Sequence, residues 1–375
     1  MKDNNYIFEF DNQSLDSYYK KLSKPYYVIS FKPGFILLDL REGIDIFKYF
    51  RKDALEKLQK GEIFLIIDWT DEGYSLEFDG IAKQINYNIE LYNINFKDVI
   101  YLSSNLRDEQ NAVAFNYKFN VCSWDHFSYM THDMANEVLS PEEQWEKMIE
   151  LTYKLYEGKK FCSLSRMFRE HRAYASFRIS TSEIANQGLI SHGLVPEDFT
   201  NFPFHKKHKT KKFPNWRKNL PLVIDRTDFL NNKNWQFVTE AMPIFSKTLF
   251  QIANESLVQD QNGTSMFITE KTFKSIFFMQ PVVIFGQPGV NKELGRIGYQ
   301  TYESYFNLDF DDIPDYKNRY NRLLENIQLL VKHIDSQDIK EQIAWRFKHK
   351  EMLMANYQTL IKSKPNRLER FINDL

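Results

Sequence analysis

Short, unbroken apolar runs alternate with stretches of helical periodicity along most of the chain. "YYVIS" around residue 27, "FILLDL" (35–40), "IFLIIDW" (63–69) and "DVIYLSS" (98–104) have the length and composition of strands buried on both faces. A helical stretch near 44–59 separates the second from the third, and the second half of 75–91 is helically spaced. "AVAFNYKF" (112–119) reads as one more strand. "SPEEQWEKMIELTYKLYEG" (140–158) opens with Ser140, Pro141 and two glutamates, a strong helix start, and is placed to bridge two domains. A second strand series follows: "KFCSLS" (160–165), "LPLVID" (220–225), "WQFVTEA" (235–241), "TSMFI" (264–268) and "PVVIFG" (281–286). Two helical segments, about 316–334 and 337–362, come last. Alternating strands and helices predict an α/β fold with parallel sheets.

Within this pattern, "FITEKTFKSIFFMQPVVIFGQPG" (267–289) places a charge where an apolar residue is expected. Thr269 is a plausible N-cap, and Phe273, Ile276 and Phe277 form the apolar stripe. Glu270 lies three residues before Phe273, on or beside that stripe. A carboxylate there is costly unless paired or hydrogen-bonded. The plain reading is a first-turn acid complementing the helix dipole. The sharper reading is a helix start that faces a ligand. Its free N–H groups suit phosphate, Lys271 and Lys274 add charge, and Glu270 accepts sugar hydroxyls.

Length and composition narrow the field. With 375 residues, two domains are expected; 43% apolar and 26% charged residues allow large cores. A net charge of −1 argues against a general polyelectrolyte role. The two cysteines, Cys122 and Cys162, support neither a disulfide framework nor a zinc motif. With no signal-like start and no apolar run of membrane-spanning length, a soluble protein of the reducing cytoplasm is expected.

Four other stretches carry candidate chemistry. "SLSRMFREHRAY" (163–174) follows a strand and gathers Arg166, Arg169, His171 and Arg172. Arginine forks match phosphate oxygens, and strand ends are where ligands bind in α/β sheets. The alternative is a solvated face with ion pairs to residues such as Glu170. "FSKTLFQIANES" (245–256) contributes Glu255, which alone says little. "IIDWTDEGYS" (66–75) puts Asp68, Asp71 and Glu72 at a strand end, where Asp68 or Glu72 could serve as general base or merely cap the next helix. "HKKHKTKKFPNWRK" (205–218) holds seven Lys or Arg and no acid, flanked by Phe-Pro pairs. It reads as a loop, either solvated or docking a polyanion through Lys206, Lys207, Lys209, Lys211, Lys212 and Arg217, with Phe213 and Trp216 able to stack on bases. No P-loop, dinucleotide fingerprint or nucleophile elbow occurs. His205 and His208 have no nearby carboxylates, so no metal site is assigned.

The 267–289 stretch resembles the donor-binding motif of fucosyltransferases that make Lewis-type glycans. It is similar also to glycosyltransferase-like proteins of bacteria and large phages, which pair an arginine-rich segment with "V-x-E-T" and "SEK-T-x-K" segments. The counterparts are "SLSRMFREHR" (163–172), "IANES" (252–256) and "ITEKTFK" (268–274). The resemblance covers about 160–320. The first arginine pair is reduced to Ser165-Arg166, and the acidic box is displaced to "NLDFDDIPDY" (307–316).

This resemblance implies a GT-B architecture: two Rossmann-like domains facing across a cleft, with a last helix crossing back to the first. The expected division is 1–150, acceptor side; 151–336, nucleotide-sugar side; and 337–375, helical. It further implies that Glu270 binds sugar or ribose hydroxyls, Lys271 the diphosphate, Arg166 and Arg172 further phosphate oxygens, and Glu255 a second hydroxyl. The function expected is a metal-independent glycosyltransferase, with a nucleotide-sugar as donor substrate and no other cofactor. The acceptor hydroxyl would belong to a glycan or to a hydroxymethylated base in DNA. The rival is a non-catalytic sugar-nucleotide or nucleic-acid binding protein derived from a transferase.

Overall fold

A computed structural model describes residues 19–30, 47, 50–70, 75–76, 80–133, 138–165, 168–194, 212–220, 222, 237–259, 263–363 and 366–375. The chain divides into two compact units. Unit 1 is Met1–His126, Asp260–Phe267 and Lys364–Leu375; unit 2 is Phe127–Gln259 and Ile268–Ser363. The first crossing falls at His126 rather than near residue 150, so the 140–158 helix lies inside unit 2 and does not bridge.

Unit 1 is a four-stranded sheet of β1 (Tyr26–Ser30), β2 (Phe64–Trp69), β3 (Val99–Ser103) and β4 (Asn120–Ser123), parallel and in chain order. All six residues of β2 and all five of β3 are buried, as expected of strands covered on both faces. Between them run α1 (Lys52–Gln59), α2 (Ile81–Leu91) and α3 (Asp108–Ala114). Residues 112–119 are not a strand. They are the end of α3 and a turn through Asn116, whose φ is 54°. Val113 and Phe115 stay exposed, and only Tyr117 and Phe119 of the run's larger apolar side chains pack on the core. The expected strand at 35–40 lies outside the described residues.

Two distant segments complete unit 1. Residues 264–268, expected as a strand and part of unit 1 as far as Phe267, join no sheet ladder. Instead Asn105 and Asn111 each donate an amide N–H to Thr264 O, at 3.0 and 2.7 Å, and Met266 N donates to Asn105 Oδ1 at 2.8 Å. Side-chain amides thus replace a neighbouring strand as partners of this backbone. The C-terminal helix, Asn366–Asn373, also belongs to unit 1; it buries Leu368 and Ile372 and pairs Arg367 with Glu109 at 2.5 Å.

Unit 2 begins with α4 (His126–Asp133), whose first residue closes the first segment of unit 1, and α5 (Pro141–Leu155), which has a full capping box between Ser140 and Glu143. Its sheet holds β5 (Lys159–Ser165), β6 (Gly188–His192), β7 (Thr248–Asn254) and β8 (Val282–Phe285), all parallel, in the order β6-β5-β7-β8. The chain therefore reverses its winding direction between β5 and β7. α6 (Glu170–Ser180) links β5 to β6, and α9 (Glu270–Phe277) precedes β8. α7 (Lys212–Lys218) and α8 (Phe237–Ser246) fall where a loop and a strand were expected. Among residues 220–225, only Leu220 and Leu222 are described, and Leu222 forms an isolated antiparallel bridge to His192. After β8 come α10 (Val290–Arg296), α11 (Tyr316–Asp335), α12 (Ile339–Phe347) and α13 (Lys350–Ile361). The last two replace the single helix expected over 337–362 and stay in unit 2; only the segment beyond them joins unit 1. Among the described residues no helix is long and apolar enough to cross a membrane.

Register in unit 2 depends on one missing side chain. Gly188 pairs with Phe161, and a Cβ at 188 would lie 2.2 Å from the fully buried Phe161 ring. Gly188→Ala should therefore cost about 1–3 kcal/mol through overpacking, read as a lower denaturant midpoint with unchanged slope. An unchanged midpoint would contradict this register.

Candidate functional site

In an open parallel sheet ligands bind beyond the carboxyl ends of the strands, where the winding direction changes. In unit 2 that point lies between β5, ending at Ser165, and β7, ending at Asn254. Glu255 is the first residue past β7, and its N–H continues the ladder by donating to Phe285 O of β8 at 2.9 Å.

Three helix starts relate to this point. Thr269 caps α9, accepting from Lys271 N. Glu255 is completely buried, and its carboxylate receives Thr269 N at 3.2 Å, Thr269 Oγ1 at 2.5 Å and Thr272 Oγ1 at 2.6 Å. From α6, His171 Nε2 donates to Glu255 O at 2.9 Å and Arg172 Nε to the same oxygen at 3.3 Å. Arg172 Nη2 also reaches Ser256 Oγ at 2.9 Å. The turn after β8 comes close: a Cβ on Gly286 would sit 3.3 Å from Glu255 Cβ. Gly289, at φ 80°, then opens α10.

The electrostatics follow from this crowding of cations. Burial opposes the charged form of Glu270, but Lys271, Lys274 and Arg172 outweigh it and hold its carboxyl at about 2. Lys271 Nζ lies 2.9 Å from Glu270 Oε1 and 3.0 Å from Thr269 Oγ1. His171 is pushed down to about 3, first by burial and then by Arg172, Arg169 and Lys271, so its imidazole is neutral and Nε2 carries the proton. Burial also lowers Arg172. The site thus sets the carboxylates of Glu255 and Glu270 among Arg169, Arg172, Lys271 and Lys274, an arrangement suited to an anion bearing hydroxyl groups.

The structure therefore brings together Arg169, Arg172, Glu255, Glu270, Lys271 and Lys274. Arg169 is the extended N-cap residue of α6 rather than part of the helix, so it does not share a helical face with Arg172. Arg166 and Glu72 lie outside the described residues, as do Lys206, Lys207, Lys209 and Lys211; Lys212 is described only as helical backbone. Asp68 belongs to unit 1. It is 4% exposed, and its Oδ1 receives Thr70 N at 3.1 Å and Thr70 Oγ1 at 2.7 Å, shaping the exit of β2. Trp216 is core rather than a stacking platform: it is 5% exposed and meets Phe177 and His192 edge-on. Arg217, in the same helix, is half-buried.

Two supporting residues escaped sequence reasoning. Arg319, fully buried on α11, donates to Gly286 O at 2.9 Å and also to the carbonyls of Val258, Ile313 and Pro314. It ties together the loops after β7 and β8. Asp311 receives Asn291 N at 3.1 Å and Asn291 Nδ2 at 2.7 Å, anchoring the start of α10. The signal for Arg319 was present: it interrupts the apolar stripe of Tyr316, Tyr320 and Leu323, much as Glu270 does in α9.

Elsewhere in unit 2, a cavity of about 550 Å³ is lined by Ser180, Ile190, Trp216 and Leu222 among others. None of the residues gathered at the sheet reversal lines it, and it adjoins the opposite end of α6 from Arg172. Among the described residues no group of three or more His, Cys, Asp or Glu could hold a metal ion. Comparison with protein-family models, curated proteins and solved structures finds no match in any of the three.

Proposed function

We propose that unit 2 binds the diphosphate of a nucleotide-sugar and that the chain is a glycosyltransferase of GT-B type. One observation carries this reading: two helix starts, with Arg172 and Lys271 and with Arg169 and Lys274 in electrostatic range, meet at the winding reversal of a parallel sheet. Lys271 and Arg172 would offset the charge that grows on the departing diphosphate, helped by backbone N–H groups of α9. Glu270, ionised and able only to accept, suits sugar or ribose hydroxyls. The acceptor is a hydroxyl of a glycan or of a modified base.

A second reading, binding without transfer, is favoured by the burial of Asp68 and its bonds to Thr70, which leave it serving the β2 exit. Nucleotide binding unaccompanied by any donor hydrolysis, and insensitive to substitution of Asp68 or Glu72, would select it.

A thermal-shift panel of nucleoside diphosphates and nucleotide-sugars, run on wild type and Lys271→Ala, tests the donor site. At a hundred times its dissociation constant a ligand should add about 2.7 kcal/mol of stability, and Lys271→Ala should abolish the shift. No shift with any nucleotide, in a protein that melts cooperatively, would remove the donor reading.

A further inference from the structure

Glu255 is completely buried and every polar group it has is engaged. Its N–H donates to Phe285 O, its carbonyl receives His171 and Arg172, and its carboxylate receives three donors from the opening of α9. Resemblance had made this residue a ligand for a donor hydroxyl, yet its contacts run inward to three elements. The contact with Thr269 is the informative one. Thr269 Oγ1 has a single proton, and that proton goes to Glu255 Oε2. The oxygen's lone pairs then face Lys271, accepting Nζ at 3.0 Å and the backbone N at 3.5 Å. The carboxylate thus sets the polarity of a hydroxyl, and the hydroxyl locates an ammonium.

We propose that Glu255 is the positioning residue of the anion site, acting through Thr269 to fix the Lys271 ammonium and through its own carbonyl to fix Arg172. The assignment deepens the donor-site reading and rests on it. It makes the cradle preformed: both cations take their places from one residue that touches no ligand. Preformed cations lose little freedom on binding, which favours affinity.

Glu255→Gln and Thr269→Val probe the relay from its two ends. An amide at 255 can donate to Thr269 Oγ1 and so reverses the bond; valine keeps the shape and removes the hydroxyl. Thr269→Ser restores it. The probes are inorganic pyrophosphate, UDP and GDP, measured by calorimetry, together with amide hydrogen exchange of residues 270–274. Expected are a loss of about tenfold or more in affinity in Glu255→Gln and Thr269→Val, affinity within about threefold of wild type in Thr269→Ser, and faster exchange over 270–274 in Glu255→Gln. If Glu255→Gln loses affinity while its exchange stays as in wild type and Thr269→Val binds normally, Glu255 contacts the ligand and the proposal is overturned. Normal affinity in Glu255→Gln overturns it too. If wild type binds none of the three probes, the donor reading fails by itself. The exchange data then still decide whether Glu255 orders the opening of α9, unchanged exchange refuting it. Should Glu255→Gln not fold, the Thr269→Val and Thr269→Ser pair decides.

Discussion

Asp108→Asn should remove most of the dependence of unfolding free energy on pH between about 4 and 7, and should raise stability at pH 8. Asp108 is fully buried with no cationic partner among the described residues, and burial lifts its carboxyl from 3.8 to about 7 against four hydrogen bonds that favour ionisation. A carboxyl raised in the folded state binds its proton more tightly there than in the unfolded chain. The stabilisation is therefore complete below the unfolded value and is lost as pH climbs through about 7. A rise from 3.8 to about 7 corresponds to about 4 kcal/mol at most. Asparagine fits the geometry: Oδ1 already receives Leu76 N, Asn105 Nδ2 and Asn111 Nδ2, and an amide in place of Oδ2 can donate to Ser103 Oγ. Urea titrations at pH 5 and pH 8 measure the effect. Parallel curves for wild type and variant would show that Asp108 titrates normally.

The second large effect has the opposite sign. Glu270 is depressed from 4.5 to about 2, so its contribution is present above the unfolded value and disappears as pH falls through about 2. Its side chain is only 14% exposed, which limits screening. A fall from 4.5 to about 2 gives about 3 kcal/mol as an upper figure. Glu270→Gln should lower stability by up to that amount at pH 7 and make the acid limb of the unfolding curve shallower. It removes one counter-charge from the surroundings of Lys271, Lys274 and Arg172. The same variant should bind inorganic pyrophosphate at least as tightly as wild type, yet lose any preference for a nucleotide-sugar over its nucleoside diphosphate. Weaker pyrophosphate binding would mean that Glu270 holds Lys271 in place rather than accepting hydroxyls.

These two carboxylates also mark what the sequence could and could not reveal. Glu270 was legible because a helix period exposes a charge on an apolar stripe, and β2, β3, α5 and β8 were legible from their apolar runs or helix-start signals. Asp108 was not, because its partners come from Leu76, Ser103, Asn105 and Asn111, whose convergence depends on how β3 and α3 fold back. β7 went unread because Gln251 and Asn254 interrupt its apolar run. Both are buried, Gln251 receiving the Ser275 hydroxyl and Asn254 donating to Ser163. Residues 264–268 look like a strand by composition, but two asparagines satisfy their backbone. In the site, the residue types were readable and their division of labour was not: Glu255 is aimed at Thr269 and Thr272, and nothing in "IANES" says so.

Arg346 on α12 bears on how the molecule is made. Its guanidinium is completely buried and donates to Phe245 O at 2.6 Å, Thr248 O at 2.9 Å and Phe278 O at 3.0 Å, closing the approach to β7 and the end of α9. It follows Phe245 by 101 residues and Phe278 by 68. On the ribosome, then, the carbonyls of Phe245 and Thr248, which Gln280 Nε2 also reaches, gain their last donor only when residues 339–347 emerge. β4 of unit 1 waits longer still for the helix at 366–373. Both units gain their last helices from the same late stretch of synthesis, and a chain released early would carry two four-stranded sheets each lacking part of its cover.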